Sequence, residues 1–305
     1  MQLSSVKAGV LFALAAYGMW GFAPIYFKLL MDLPAPDILV HRIVWSVVVL
    51  IVLVTFTGKF ASVRAALKNN RVVRILLLSG VLLAINWLLF IWAINNDHLL
   101  DASLGYYINP LINVFLGRIF LAERLRVLQK IAVGLAIFGV GAMVLSYGDL
   151  PWIALVLAVS FGFYGLLRKQ VAVDSLPGLM IETIMMLPFA IGYWVFFGAE
   201  LSNMLTNPMS FNLLLLGAGI ITTAPLLCFT AAARRIRYST LGFFQYIGPS
   251  IMFLLAIFVY GEPLEEARLF TFGFVWFALL LFSFDSYRAY SQQRKESKKP
   301  VEEAS

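Results

Sequence analysis

The stretch LGYYINPLINVFLGRIFLAE, Leu104–Glu123, is 20 residues long, enough to cross a bilayer as a helix. It nevertheless carries two tyrosines, two asparagines, an Asn-Pro step and an arginine. On a helix Tyr106, Asn109, Asn113 and Gly117 fall at i, i+3, i+7 and i+11, so they share one face. The residues between them are mostly Leu, Ile, Val and Phe. In hydrocarbon an unpaired amide or hydroxyl is expensive, so the polar stripe must turn inward, toward other helices.

The rest of the chain supplies those helices. Of its 305 residues 61% are hydrophobic and only 13% charged, and the mean hydropathy is +0.88. Soluble domains are about half apolar and about a quarter charged, so the composition is that of an integral membrane protein. The first apolar run, from Lys7 to Phe27, is longer than a signal-peptide core and lacks a small-x-small cleavage site, which predicts a retained helix. The single cysteine, Cys228, excludes a disulfide framework and reads as a packing residue.

Hydropathy and turn residues predict ten helices, near 8–30, 37–57, 72–95, 101–122, 127–147, 151–168, 177–198, 211–233, 239–260 and 269–287. Charge tests the count. With the N-terminus in the cytoplasm, only Lys28, Arg42 and Arg268 of the 23 Lys and Arg fall on the outer side, which leaves 20 inside. The outer loops carry Asp32, Asp97, Asp101, Asp149, Glu200, Glu265 and Glu266 instead. The positive-inside rule is met at every loop, and both termini are expected in the cytoplasm. The net charge of +7 thus reports orientation, not nucleic-acid binding.

The two halves match in order. WGFAPIYFK (20–28) aligns with FGFYGLLRK (161–169) at an offset of 141, and PDILVH (36–41) with PGLMIE (177–182) at the same offset. From the third span the offset is 139: Gly80, Phe90 and Ala93 land on Gly219, Phe229 and Ala232, and Pro110 and Glu123 on Pro249 and Glu262. Each copy holds five helices, an odd number, so the second must run upside down. The expected fold is an all-α membrane protein of ten transmembrane helices in two inverted five-helix repeats, 1–147 and 148–288, with a disordered tail at 289–305. Inverted repeats of this kind place a substrate site between them near the midplane.

Three motifs carry a resemblance: the run NWLLFIWAINNDHLLDASLGYYINPL (86–111), the pair HR (41–42), and LGFFQYIGPS (241–250). They resemble the drug/metabolite transporter superfamily, and within it the EamA-type, RarD-like (chloramphenicol-sensitive) permeases. The resemblance spans nearly the whole chain. It implies two EamA-like repeats, a bacterial inner membrane, and transport of a small molecule, with export as the direction. It does not imply a substrate, because members carry amino acids, nucleotide precursors and drugs.

The repeat sets Gln245, Gly248, Met252 and Ala256 opposite the first stripe. Single asparagines in such helices commonly glue neighbours together, but a paired stripe argues for a central cavity. Tyr106, Asn109, Asn113, Gln245 and Tyr246 are expected to line it, joined by Trp20, Trp87 and Tyr164; Tyr246 adjoins Gln245 and has the option of pointing sideways. Arg42 and Glu182 are ionisable groups at membrane depth, where charge normally faces a bundle interior or water. Arg42 suits an anionic substrate group in the outer half. Glu182, with His41 aligned to it, suits proton coupling; the bland alternatives are a snorkelling arginine and a carboxylate in the first helical turns. Arg118 and Glu123 read as anchors at the cytoplasmic face, Trp45, Trp92 and Trp152 as packing or belt residues, and His98 as a solvated turn.

Other functions fit less well. A membrane-embedded enzyme needs a nucleophile with its base, a metal set or paired carboxylates at depth, and Glu182 is the one acid there. No phosphate-cradling Gly-rich loop is present, no cofactor or metal is called for, and no sizeable loop serves a receptor. A channel would show a carbonyl filter or a ring of acids. The implied partners are a small-molecule substrate, the lipid bilayer and, if transport is proton-coupled, protons.

Overall fold

The computed structural model describes residues 3–30, 32–95, 99–146, 151–259 and 266–296, and its regular elements are all helical. The expected outer-loop residues Asp97, His98, Asp149 and Glu265, and Glu262, the repeat partner of Glu123, lie outside the described residues. The helices are α1 (Leu3–Lys28), α2 (Ala35–Phe56), α3 (Phe60–Leu67), α4 (Asn70–Asn95), α5 (Leu99–Phe120) and α6 (Val127–Ser146). They are followed by α7 (Trp152–Gln170), α8 (Ser175–Phe197), α9 (Met209–Ala233), α10 (Tyr238–Gln245), α11 (Ile247–Phe258) and α12 (Glu266–Glu296). A single 3-10 turn, Glu200–Ser202, sits between α8 and α9.

Seven of these helices are long and apolar enough to cross a membrane: α1, α2, α4, α7, α8, α9 and α12. Helix α6 contributes a shorter apolar stretch, Val127–Ala142. Helix α5 has the length, at 22 residues, but carries the polar stripe. Large apolar side chains cover the outside, with Phe56 87% and Phe189 81% exposed, a surface stable only against lipid. The chain is a multi-pass helical membrane protein.

Two sequence expectations differ in detail. The ninth expected span, 239–260, is broken at Tyr246 into α10 and α11. Pro249 has no N–H and leaves the carbonyl of Gln245 without its helical donor, and the backbone departs from the helix at that point. Helix α12 runs to Glu296, into the segment 289–305 that composition marks as disordered.

Helix α1 packs on α9 and α11, α2 on α8 and α9, α4 on α7 and α8, α5 on α7 and α10, and α6 on α12. One apolar core gathers residues of α1, α2, α4, α7, α8 and α9; a second gathers α5, α6, α10 and α12. Small residues permit the close crossings. A Cβ on Gly219 would sit 2.4 Å from the Trp45 backbone carbon, and one on Gly242 2.9 Å from the Pro110 carbonyl oxygen.

The basic end of the bundle is tied by charge rather than by apolar packing. Asp174, between α7 and α8, accepts from Arg234 Nη1 at 2.7 Å and lies 3.7 Å from Lys59 Nζ. The Arg234 hydrogen bond, helped by both positive charges, holds the Asp174 carboxyl below its usual range. Lys169 Nζ donates to the carbonyls of Ala233 and Ile236 at the end of α9. Arg126 Nε meets Asp285 Oδ2 at 2.5 Å, joining α6 to α12.

Glu123 corrects an expectation. Arg118 is exposed, as an anchor should be, but Glu123 accepts from Tyr238 N at 2.6 Å, Ser239 N at 2.9 Å and Ser239 Oγ at 2.7 Å. It caps the N-terminus of α10 from the end of α5, where a carboxylate also meets the positive end of the helix dipole. Ala122, in the left-handed region at φ 51°, turns the chain so that Glu123 reaches that position.

Two glycines of α9 test the packing. Gly219→Ala has no room and should destabilise the protein by about 1–3 kcal/mol. Gly217→Ala meets Tyr26 at an ordinary 3.6 Å and should be neutral or stabilising by up to about 1 kcal/mol. Thermal unfolding of the two variants in detergent checks this, and equal effects would show that α2 and α9 do not cross at Gly219.

Candidate functional site

Proline and amides shape the middle of α5. Pro110 leaves the carbonyl of Tyr106 without its helical donor, as Pro249 does for Gln245. On the inward face Asn109 Nδ2 donates to the Ala158 carbonyl of α7 at 2.5 Å. Asn113 Nδ2 donates to Asn109 Oδ1 at 3.2 Å and to Gln245 Oε1 of α10 at 3.1 Å. All three side chains are buried, and Asn113 Oδ1 is enclosed without a partner. The structure thus brings together three residues that sequence spacing singles out, and leaves one acceptor at their centre unused.

A second group adjoins it along α5. Arg42 Nε donates to Thr222 Oγ1 of α9 at 2.9 Å. Its guanidinium lies over the Trp87 ring at 4.6 Å and the Phe27 ring at 5.4 Å, within cation–π range. The hydroxyls of Tyr26 and Tyr106 are within its electrostatic reach. Tyr106 meets Phe90 edge-on, with centroids 5.8 Å apart. No carboxylate pairs with Arg42 among the described residues. Arg42 is half-buried as a residue, and among the described residues Thr222 is its single hydrogen-bonding partner, so most of its five donors are not engaged there.

Other expected residues sit elsewhere. Trp20 is half-buried in an aromatic cluster with Tyr17, Phe161 and Phe229. Tyr164 is fully buried, stacked on Phe229 at 6.0 Å, and its hydroxyl has no partner. Tyr246 is fully buried and points sideways: its hydroxyl donates to the Tyr107 carbonyl at 3.2 Å and its ring joins the α5–α6–α12 core. His41 is fully buried, with Trp45 Nε1 donating to Nδ1 at 3.2 Å. Its Nε2 then carries the proton and donates to Ser202 Oγ at 3.0 Å, so both ring nitrogens are occupied.

Glu182 is fully buried and accepts from Ser79 Oγ of α4, and Arg168 Nε lies 3.7 Å from its Oε1. Arg168, counted with Lys169 among the basic residues of the inner side, is 0% exposed. Missed in the sequence were Thr222, which fixes Arg42, and Asn86, which donates to the Leu157 carbonyl at 2.9 Å and to Ser160 Oγ at 3.0 Å. Neither lies on a polar stripe, so spacing gave no signal for them. Among the described residues no three His, Cys, Asp or Glu side chains gather where a metal would sit.

Comparison with known proteins gives a consistent result. Residues 7–145 match the EamA-like transporter family. The chain is 53% identical over 284 residues to an uncharacterized transporter of Vibrio cholerae, covering 93% of this chain and 94% of that one. It is 51% identical over 295 residues to the protein RarD of Escherichia coli, covering 96% and 99%. A crystal structure of a protein 16% identical superimposes with a TM-score of 0.71 over 91% of this chain and 98% of the other, a likeness of fold.

The amide contact between α5 and α10 has a measurable strength. A double-mutant cycle of Asn113→Ala and Gln245→Ala, read by unfolding in lipid bicelles, should give a coupling of about 0.6 kcal/mol and no more than about 1.7. Additive effects would mean that the two amides do not meet.

Proposed function

The chain belongs to the EamA-like transporter family as a RarD-like permease, and from that premise we propose that it exports small metabolites or drugs across the bacterial inner membrane. It works by alternating access, with no enzymatic chemistry and both termini in the cytoplasm. One observation carries the reading: a buried amide stripe, with an unused acceptor at Asn113, runs on to an arginine that has no carboxylate partner among the described residues. A purely structural polar cluster would close on itself.

Reciprocal packing supports the division into two inverted five-helix units, 1–147 and 148–288. Exchange α1 with α7, α2 with α8, α4 with α9, α5 with α10–α11, and α6 with α12. The pairs α1–α9 and α2–α9 then become α7–α4 and α8–α4, while α5–α7 becomes α11–α1. The pairs α2–α8, α6–α12 and α5–α10 map onto themselves. All of these contacts occur, as a two-fold relation requires.

In this arrangement Arg42 and Glu182 each lie seven residues into their helices, about 10 Å from opposite faces. Arg42 serves the outer half of the path, where its planar fork binds an electronegative group of the substrate. Trp87 and Tyr106 flank it, and Asn109, Asn113 and Gln245 continue the path inward. Tyr164, Trp20 and Tyr246 support the wall from behind. Glu182 is the ionisable group that remains for proton coupling, since both ring nitrogens of His41 are already engaged.

The test is solute uptake into inverted membrane vesicles, screened over amphipathic metabolites and drugs with and without a proton gradient. Wild-type vesicles should accumulate at least one solute. Arg42→Lys and Arg42→Gln should slow it about tenfold or more at unchanged abundance, the loss of one charged, geometrically fixed hydrogen bond. Normal transport by both variants would make Arg42 an anchor only.

A further inference from the structure

Two helix faces meet near the basic end of the bundle. On α8, Ser175, Gly178 and Glu182 fall at i, i+3 and i+7; on α7, Tyr164 and Arg168 fall at i and i+4. Arg168 Nη2 donates to the Ser175 carbonyl at 3.1 Å, and Nε lies 3.7 Å from Glu182 Oε1. Gly178 forms the berth, since a Cβ there would lie 2.2 Å from Arg168 Nη1. Ser79 of α4 donates to Glu182 Oε1 and so shares the oxygen that faces Arg168. Arg168, Glu182, Ser79 and Tyr164 are all 0% exposed.

The site is built but not satisfied. Arg168 Nε and Nη1, Glu182 Oε2 and the Tyr164 hydroxyl are enclosed with no hydrogen-bonding partner. A buried ion pair repays its desolvation only with close geometry and full hydrogen bonding, and 3.7 Å is outside hydrogen-bond range. A pair kept for stability alone would be expected to close these gaps. The gaps suit a group that changes charge. A proton on Glu182 Oε2 displaces no existing bond, and the Ser79 bond to Oε1 is kept. The other ionisable groups facing this region are Tyr238 of α10, whose hydroxyl donates to the Gly162 carbonyl, and Tyr17 of α1. His41, by contrast, has both nitrogens engaged and no free position for a further proton.

We propose that Glu182 Oε2 is the proton-binding atom of the transport cycle, with Arg168 as its positioning residue. The proton comes from water at the basic end and converts the carboxylate to a neutral acid, so the pair's charge rises from zero to +1. Arg168 then loses its counter-charge on α8, and the tie between α7 and α8 weakens. The coupling role rests on the transporter reading; the protonation itself does not.

The experiment is difference infrared spectroscopy of the full-length protein reconstituted in lipid, recorded on acidification and reversal. A reversible C=O stretch of a protonated carboxylic acid should appear in the wild type, vanish in Glu182→Gln and persist, displaced, in Glu182→Asp. Arg168→Lys, which keeps the charge but not the planar fork, should move its midpoint by about one pH unit or more. A wild-type spectrum with no Glu182-dependent band that titrates overturns the proposal, even if the vesicles transport a solute. A titrating band whose midpoint ignores Arg168→Lys removes Arg168 from it. A titrating Glu182 band in protein that transports nothing would sink the transporter reading and leave the proton site standing.

Discussion

In hydrocarbon a polar group without a partner costs about 2–7 kcal/mol, and no water is at hand to supply one. That constraint places nearly every polar side chain in this bundle. Asn109, Asn113 and Gln245 meet because each has nowhere else to turn, and their meeting joins α5, beside Pro110, to the end of α10, whose last carbonyl Pro249 of α11 leaves without a helical donor. The apolar exterior follows from the same rule read outward. Small residues such as Gly219 and Gly242 then let backbones approach until the amides can bond.

Charges obey the rule in different ways at different depths. At the basic end Asp174, Lys59, Arg234, Lys169 and Glu123 pair with one another or with helix termini, where water still helps. Deeper in, Arg168 and Glu182 are paired but loosely, and Arg42 has aromatic faces and a hydroxyl instead of a counter-ion. The charges within the bundle are less completely satisfied than those at its basic end. That contrast is the reverse of what stability favours, which is why the deep groups are read as working parts.

Much of this was legible in the sequence because it rests on periodicity. The i, i+3, i+7 spacing of Tyr106, Asn109 and Asn113, and the repeat that sets Gln245 against them, are carried by covalent spacing alone. What spacing does not carry is the choice between two neighbouring faces. Tyr246 lies beside the stripe in sequence and Tyr164 in the span aligned with the first, but both rings turn into packed aromatic clusters; the Tyr246 hydroxyl still finds the Tyr107 carbonyl, while that of Tyr164 has no partner. Arg168 ends an apolar run beside Lys169, the pattern of a membrane anchor, and only Ser175, Gly178 and Glu182 on the facing helix make room for it inside. Glu123 was legible as a charge at a helix end but not as the cap of a helix far away in sequence, since tertiary structure alone brings α10 to it.

The central claim is that two five-helix units of opposite orientation enclose the polar stripe. The most direct measurement is sided labelling of single cysteines in intact cells, in a Cys228→Ser background, with one cysteine at Ala61 and another at Asn203. These positions lie in equivalent connections of the two units, after α2 and after α8. The account predicts that a membrane-impermeant maleimide labels Asn203→Cys from outside and reaches Ala61→Cys only after the membrane is opened. Labelling of both from the same side would contradict the inverted arrangement and, with it, the placing of Arg42 and Glu182 toward opposite faces.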